Sequence, residues 1–116
     1  DITLFAAVCG DTNAVHIDAE YAAKTRFGQR IAHGYIAASM IGTVLGTRLP
    51  GPGTIYLSQS LKFQAPVFIG ETITATATII KAREDKPIYT LEAACTKPDG
   101  TVVVSGEAVV MYLGEG

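Results

Sequence analysis

The run Cys9-Gly10-Asp11-Thr12-Asn13-Ala14-Val15-His16 brings a carboxylate, an amide and an imidazole into six consecutive positions, Asp11 to His16. Asp11 and His16 stand five apart. Side chains three or four apart share a helical face and those five apart do not, so the two converge only if the stretch between them is a loop. Gly10, just before the acid, allows a sharp turn there. A carboxylate and an imidazole meeting in this way can share and direct one water molecule, the minimum equipment for general acid–base chemistry. The structural alternative is that Asp11 braces a turn or caps a helix and that His16 is a hydrogen-bonded structural histidine.

A second pair, His33-Gly34, stands where a long apolar segment begins. The first N–H groups of a helix have no internal partner, and the helix dipole there favours negative charge. A carbonyl oxygen lying over Gly34 would find a backbone donor able to stabilise an oxyanion or enolate. The competing assignment is that Gly34 eases helix entry and that His33 bonds the backbone.

The elements that must position these groups fall into two halves. Ile2, Leu4, Phe5 and Val8 give residues 1–9 helical periodicity. A loop is expected over 10–17, and Asp18 caps a short helix over 19–24. After a link through 27–30, the segment from His33 to about Leu49 is apolar almost all round, the pattern of a buried helix. Pro50-Gly51-Pro52-Gly53 stops it. The rest alternates with period two: Ile55, Leu57, Leu61 and Phe63 on one parity of 54–64, then 72–79, Tyr89 to Cys95, and the valine-rich 101–112. Such alternation means one buried face and one wet face, and the breaks at 66–70, 84–87 and 97–100 are turn signals. Helices followed by four antiparallel strands make an α+β fold, and one long buried helix wrapped by a curved sheet suggests the hot-dog arrangement.

Composition narrows the classes. The chain has 116 residues, 48% hydrophobic and 17% charged. It is therefore a single globular domain over 1–116 and not a disordered segment. A net charge of −2 with scattered basic residues offers no field for nucleic acid. No run has membrane-spanning length. Cys9 and Cys95 lack metal-type spacing and are expected as free thiols in a reducing cytoplasm. Two histidines without a CxxC pattern leave no zinc site and no metal.

Phe5, Gly10-Asp11-x-Asn13, His16 and Ile31-Ala32-His33-Gly34 together resemble the hydratase-2 signature of the MaoC-like family, which contains the (R)-specific enoyl-CoA hydratases. The resemblance runs on through Leu49 to Leu57, through Phe63-x-x-Pro66-Val67-x-x-Gly70-Glu71 and through Gly106 to Val110, so it covers essentially the whole chain. It implies that Asp11 and His16 are the catalytic acid–base pair, that Asn13 braces their loop, and that the Gly34 N–H binds the thioester oxygen. Ala14 stands where the family usually has proline, which removes no reactive group. The resemblance further implies a first strand before Asp1, absent from this chain, and a kinship with hydratase-like domains that precede another catalytic domain.

The expected activity is reversible hydration of a trans-2-enoyl-CoA to an (R)-3-hydroxyacyl-CoA, with no cofactor, the coenzyme A thioester being the substrate. His33, Gly42 and Leu45 are candidates for substrate binding, the last two for setting acyl length along the helix. Lys62, Arg83 and Lys86 are candidates for coenzyme A phosphates. A homodimer is expected, because a sheet this small leaves an edge strand that needs covering. The rival functions are a hot-dog thioesterase, a 3-hydroxyacyl thioester dehydratase and a non-catalytic acyl-CoA-binding or dimerisation module.

Overall fold

The computed structural model describes residues 1–114, so the last two positions of the expected 1–116 domain lie outside the described residues. The first half holds α1 (Ile2–Cys9), α2 (Ala14–Ile17), α3 (Ala19–Ala23) and α4 (Gly34–Thr47). The second holds β1 (Thr54–Gln59), β2 (Lys62–Phe63), β3 (Thr74–Ala82), β4 (Ile88–Thr96) and β5 (Val102–Tyr112). The strands form one antiparallel sheet in the order β1-β5-β4-β3, with β2 also pairing β5.

Gly10 ends α1 in the left-handed region, at φ 81°, with its N–H bonded to the Ala6 carbonyl. The chain turns there, as expected. The stretch that follows departs from the loop expected over 10–17. The Asn13 side-chain oxygen accepts the Val15 N–H at 3.2 Å and so caps a single helical turn, α2, on which His16 rides. Asp18 then caps α3 by accepting the Tyr21 N–H at 3.1 Å.

Helix α4 packs across the sheet through one stripe. Ala37, Ile41 and Leu45, at i, i+4 and i+8, are buried against Leu91, Ala93 and Cys95 of β4 and Val104, Ala108 and Val110 of β5. Each fully buried Ile or Leu contributes roughly 1.5–3 kcal/mol. The Cys95 thiol donates to the Ala37 carbonyl at 3.2 Å, and burial pushes its pKa up. Ser39, Thr43 and Thr47 on the far side are exposed and bond back to carbonyls of their own helix. The helix is therefore buried on one face and not all round, because the sheet lies against a single side of it.

The first expected strand divides in two. A bulge between Tyr56 and Ser58 shifts the register against β5, and β1, at the edge of the sheet, buries neither parity, Tyr56 being about as exposed as its neighbours. Ile55, Leu57 and Phe63, expected on the inner face, are each about half exposed. The threonines of β3 face outward and Ile73, Ala75 and Ala77 inward until a second bulge after Ile79. Cys9 and Cys95 are free, and no described helix is long and apolar enough to cross a membrane.

One brace ties the end of β4 to the segment carrying His33. Glu71 accepts the Phe68 N–H at 2.7 Å and pairs with Lys97 at 3.0 Å, whose ammonium lies 5.2 Å from the Phe68 ring centre. Phe68 bridges to Ile31, and the Ala32 N–H donates to the Val67 carbonyl at 2.7 Å. The Phe68 N–H, and after it Lys97, hold the Glu71 carboxyl below its usual range. A carboxyl whose pKa is lowered by folding stabilises the fold when ionised, and that contribution is lost as pH falls through the folded pKa. Glu71→Gln should lower the melting temperature at pH 7 by about 4 °C, for a loss of about 1 kcal/mol. The gap between variant and parent should close as pH falls below the ordinary carboxylate range of about 4. Thermal scans from pH 7 to pH 3 check both.

Candidate active site

His16 leaves α2 with its Nδ1 2.8 Å from the Ile31 carbonyl oxygen. A carbonyl only accepts, so Nδ1 carries the hydrogen, and in the neutral ring Nε2 is left as an acceptor. Arg30 fixes the same turn from behind, its Nε donating to the His16 carbonyl at 2.6 Å. The Ile31 N–H donates to the Val15 carbonyl at 3.2 Å. Asp11 lies exposed on the short link between α1 and α2, its carboxylate accepting the Asn13 N–H at 3.3 Å.

His33 makes the reciprocal contact. Its Nε2 lies 2.7 Å from the Asp11 carbonyl oxygen. The ring is buried, 3% exposed, and stacks on His16 with centroids 4.0 Å apart and planes 28° apart. Phe5 lies 5.0 Å away. Asp11, His16 and His33 thus bring one ligand-type atom each within 4.8 Å of one another.

One nitrogen of each ring already donates to a carbonyl. That leaves His16 Nε2, His33 Nδ1 and the Asp11 carboxylate as the remaining ligand-type atoms of the cluster, with His33 Nδ1 buried.

Gly34 opens α4 next to this cluster. His33 is the N-cap residue, but its side chain makes no capping bond, being committed to Asp11. A cavity of about 460 Å³ runs from His16 and His33 past Gly34 to Tyr35, Phe63 and Val104. The Phe63 ring lies directly over Gly34, where a Cβ would come within 2.7 Å of its Cε1. Phe63 is half exposed, so its ring can yield. A second cavity, about 430 Å³, lies beyond Arg30 and Ala32 and does not include His16, and Asp11 lines neither cavity.

The structure therefore gathers Asp11, Asn13, His16, His33 and Gly34 into one region. It does not bring Gly42 and Leu45 to the cavity beside His16. Leu45 is fully buried in the core, and Gly42 faces the Tyr56 ring, its Cβ direction 3.6 Å from Cε2. The three basic residues singled out for phosphates are also elsewhere. Arg83 pairs with Asp85 at 2.6 Å in an exposed turn, and neither Lys62 nor Lys86 lines the cavity. The cation that does line it is Arg26, whose guanidinium lies 4.8 Å from the Phe27 ring centre. Arg26-Phe27 and Arg30 lie in a link between helices, a stretch without periodicity to attract notice. The one available signal was two arginines within five residues of a chain with little charge.

Comparison with known proteins gives the geometry its setting. A MaoC-like domain model matches residues 1–95. The chain is 52% identical to an (R)-specific enoyl-CoA hydratase of Rhodospirillum rubrum over 116 residues, all of this chain and 80% of that protein. It is 44% identical to a 3-hydroxybutyryl-CoA dehydratase of Methylorubrum extorquens over 110 residues, 95% of this chain and 69% of that one. A solved (R)-hydratase from Aeromonas caviae superposes with a TM-score of 0.93 at 45% identity, covering 96% of this chain and 84% of that one.

The contact between Gly34 and Phe63 yields a direct test. Gly34→Ala should push the Phe63 ring aside and destabilise the fold by about 1 kcal/mol, the low end of an overpacking cost, because the ring is half exposed. The same change in a Phe63→Ala background should cost almost nothing. A double-mutant cycle by urea denaturation reads the coupling, and additive effects would show that Phe63 is not what Gly34 accommodates.

Proposed function

The chain belongs to the MaoC-like domain family, and from that membership we propose that it hydrates trans-2-enoyl-CoA thioesters reversibly to (R)-3-hydroxyacyl-CoA. The observation that carries the proposal is that Asp11 and His16, five residues apart, each bring a ligand-type atom to within 4.8 Å of the other. His16 presents a bare Nε2, because its Nδ1 is held by Ile31. Asp11 presents a carboxylate, and its nearest ligand-type atom lies within 4.8 Å of one on His16. A water between two acceptors turns both hydrogens toward the protein and leaves its oxygen lone pairs free. That water is oriented as a nucleophile.

In the proposed reaction the thioester oxygen lies at the N-terminus of α4 and accepts from the Gly34 N–H. Negative charge developing on that oxygen is stabilised by the donor, and C3 becomes electrophilic. Water oxygen attacks C3, the Asp11–His16 pair removes a proton, and a proton reaches C2 from the same side. Asn13 uses its oxygen to cap α2, which holds Asp11 and His16 at a constant separation. No metal or organic cofactor takes part, and coenzyme A is the handle of the substrate.

The half-exposed apolar residues Ile55, Tyr56 and Leu57 on edge strand β1 support a homodimer that covers this edge, with the acyl site near the junction. Gly42, against Tyr56, would meet only the far end of a long acyl chain, and Leu45 stays within the core. The free thiols and the lack of any basic patch support a cytoplasmic protein without nucleic-acid or membrane partners.

With crotonyl-CoA, absorbance of the enoyl-thioester band should fall, and chiral analysis should give the (R)-3-hydroxy product. Release of free coenzyme A thiol instead would identify a thioesterase. Asp11→Asn and His16→Gln should each lower turnover by about 10³-fold or more with the fold kept. The double variant should be scarcely worse, as for groups that act as a unit. A single variant keeping a third of the activity would exclude the shared water. Light scattering at micromolar concentration should report a dimer, and a fully active monomer would count against the covered edge.

A further inference from the structure

We infer that His33 is a positioning residue of the proposed reaction: its imidazole holds the Asp11 turn in register with His16 and makes no contact with substrate. The inference rests on the hydratase reading of the site and departs from the expectation that His33 binds substrate. His33 borders the cavity, but the residue is only 3% exposed and neither nitrogen is placed to bind a substrate. Nε2 donates to the Asp11 carbonyl. Nδ1 is buried and has no hydrogen-bond partner among the described residues. One face of the ring is covered by His16, and Phe5 packs against it at a tilt of 47°.

What the ring can do follows from how little else holds Asp11. The turn begins at a left-handed glycine, and Asp11 is exposed. Its other ties are weak: its N–H reaches the Cys9 sulfur at 3.5 Å, and its carboxylate accepts the Asn13 N–H at 3.3 Å. The bond from His33, at 2.7 Å, is the shortest tie on the Asp11 backbone. The opposite bond, from His16 to Ile31, anchors the imidazole of the pair to the segment that carries His33. The two histidines therefore cross-link the residue 11–16 and 31–33 segments in both directions, and their stacked rings fix the spacing between them. Loss of His33 frees the carboxylate to move relative to His16 Nε2. A misplacement of about 1 Å can cost about 10² in rate.

The test combines kinetics with ring spectroscopy on the whole protein. In His33→Leu, which keeps neither the donor nor the ring, kcat for crotonyl-CoA should fall about a hundredfold. In His33→Gln, whose amide N–H can still reach the Asp11 carbonyl, kcat should recover to within about tenfold of the parent. KM should stay within about twofold in both, because no substrate contact is lost. A large rise in KM with kcat unchanged, or a His33→Leu variant as active as the parent, overturns the inference. Nitrogen-15 shifts of the unmutated protein should show His33 as the Nε2–H form and His16 as the Nδ1–H form. An Nδ1–H form of His33 removes the bond to Asp11 and overturns the inference even if both variants fail to fold. Absence of hydratase activity in the unmutated protein would refute the proposed function alone, since the ring spectra still judge the cross-link.

Discussion

Two hydrogen bonds running in opposite directions between the same two segments organise this molecule around its candidate site. His16 donates to Ile31, and His33 donates to Asp11. Each bond gives a carbonyl at the edge of the helical layer a side-chain donor. Each also decides which ring nitrogen is bare. The arrangement is thus one of folding and of chemistry together, because the contacts that close the helical layer also leave Nε2 of His16 unprotonated in the neutral ring.

That pair of bonds depends in turn on the sheet. Ile31 is held by its bridge to Phe68, and Phe68 by Glu71 and Lys97 at the end of β4. Helix α4 is pressed on the sheet by Ala37, Ile41 and Leu45, which places His33 and Gly34 at its leading end. A chain of contacts therefore runs from the core to Asp11, with burial falling along it: Leu45 is fully buried, His33 nearly so, His16 partly and Asp11 exposed. Rigid supports stand behind an accessible carboxylate. This grading suits a site that must order one water and still admit a bulky thioester.

The sequence carried three of the four helices, the stop near Pro50, most of the sheet and the nearness of Asp11 to His16, because each is written in local pattern: periodicity, capping residues, turn residues. What it hid is not local. Strand β1 lies at the edge of the sheet with both of its parities exposed, a matter of tertiary placement that alternation does not show, so Ile55 and Leu57 read as inward when they are half exposed. The helical turn at Ala14–Ile17 depends on one side-chain cap, and four residues are too few to show a period. Helix α4 reads as buried all round because Ala, Gly, Ser and Thr fit either a core or a surface. His33 was visible as a residue of interest, yet the partner of its Nε2 lies 22 residues away, a distance over which composition says nothing. Arg26 was overlooked because a cavity wall, unlike a helix face, has no period.

A last consequence concerns the start of α4. A helix ordinarily has its first N–H groups capped by the side chain that precedes it. His33 holds that position but sends its side chain to Asp11, so it cannot cap. A capping side chain there would take the N–H of the second or third residue of the helix, so the Gly34 N–H, the first, is left open by helix geometry itself, and Gly34 lines the cavity. The helix dipole at that end favours negative charge. The proposed reaction therefore draws on two separate supports: the Asp11 turn, tied by His33, and the start of α4, set by the stripe of Ala37, Ile41 and Leu45 against the sheet.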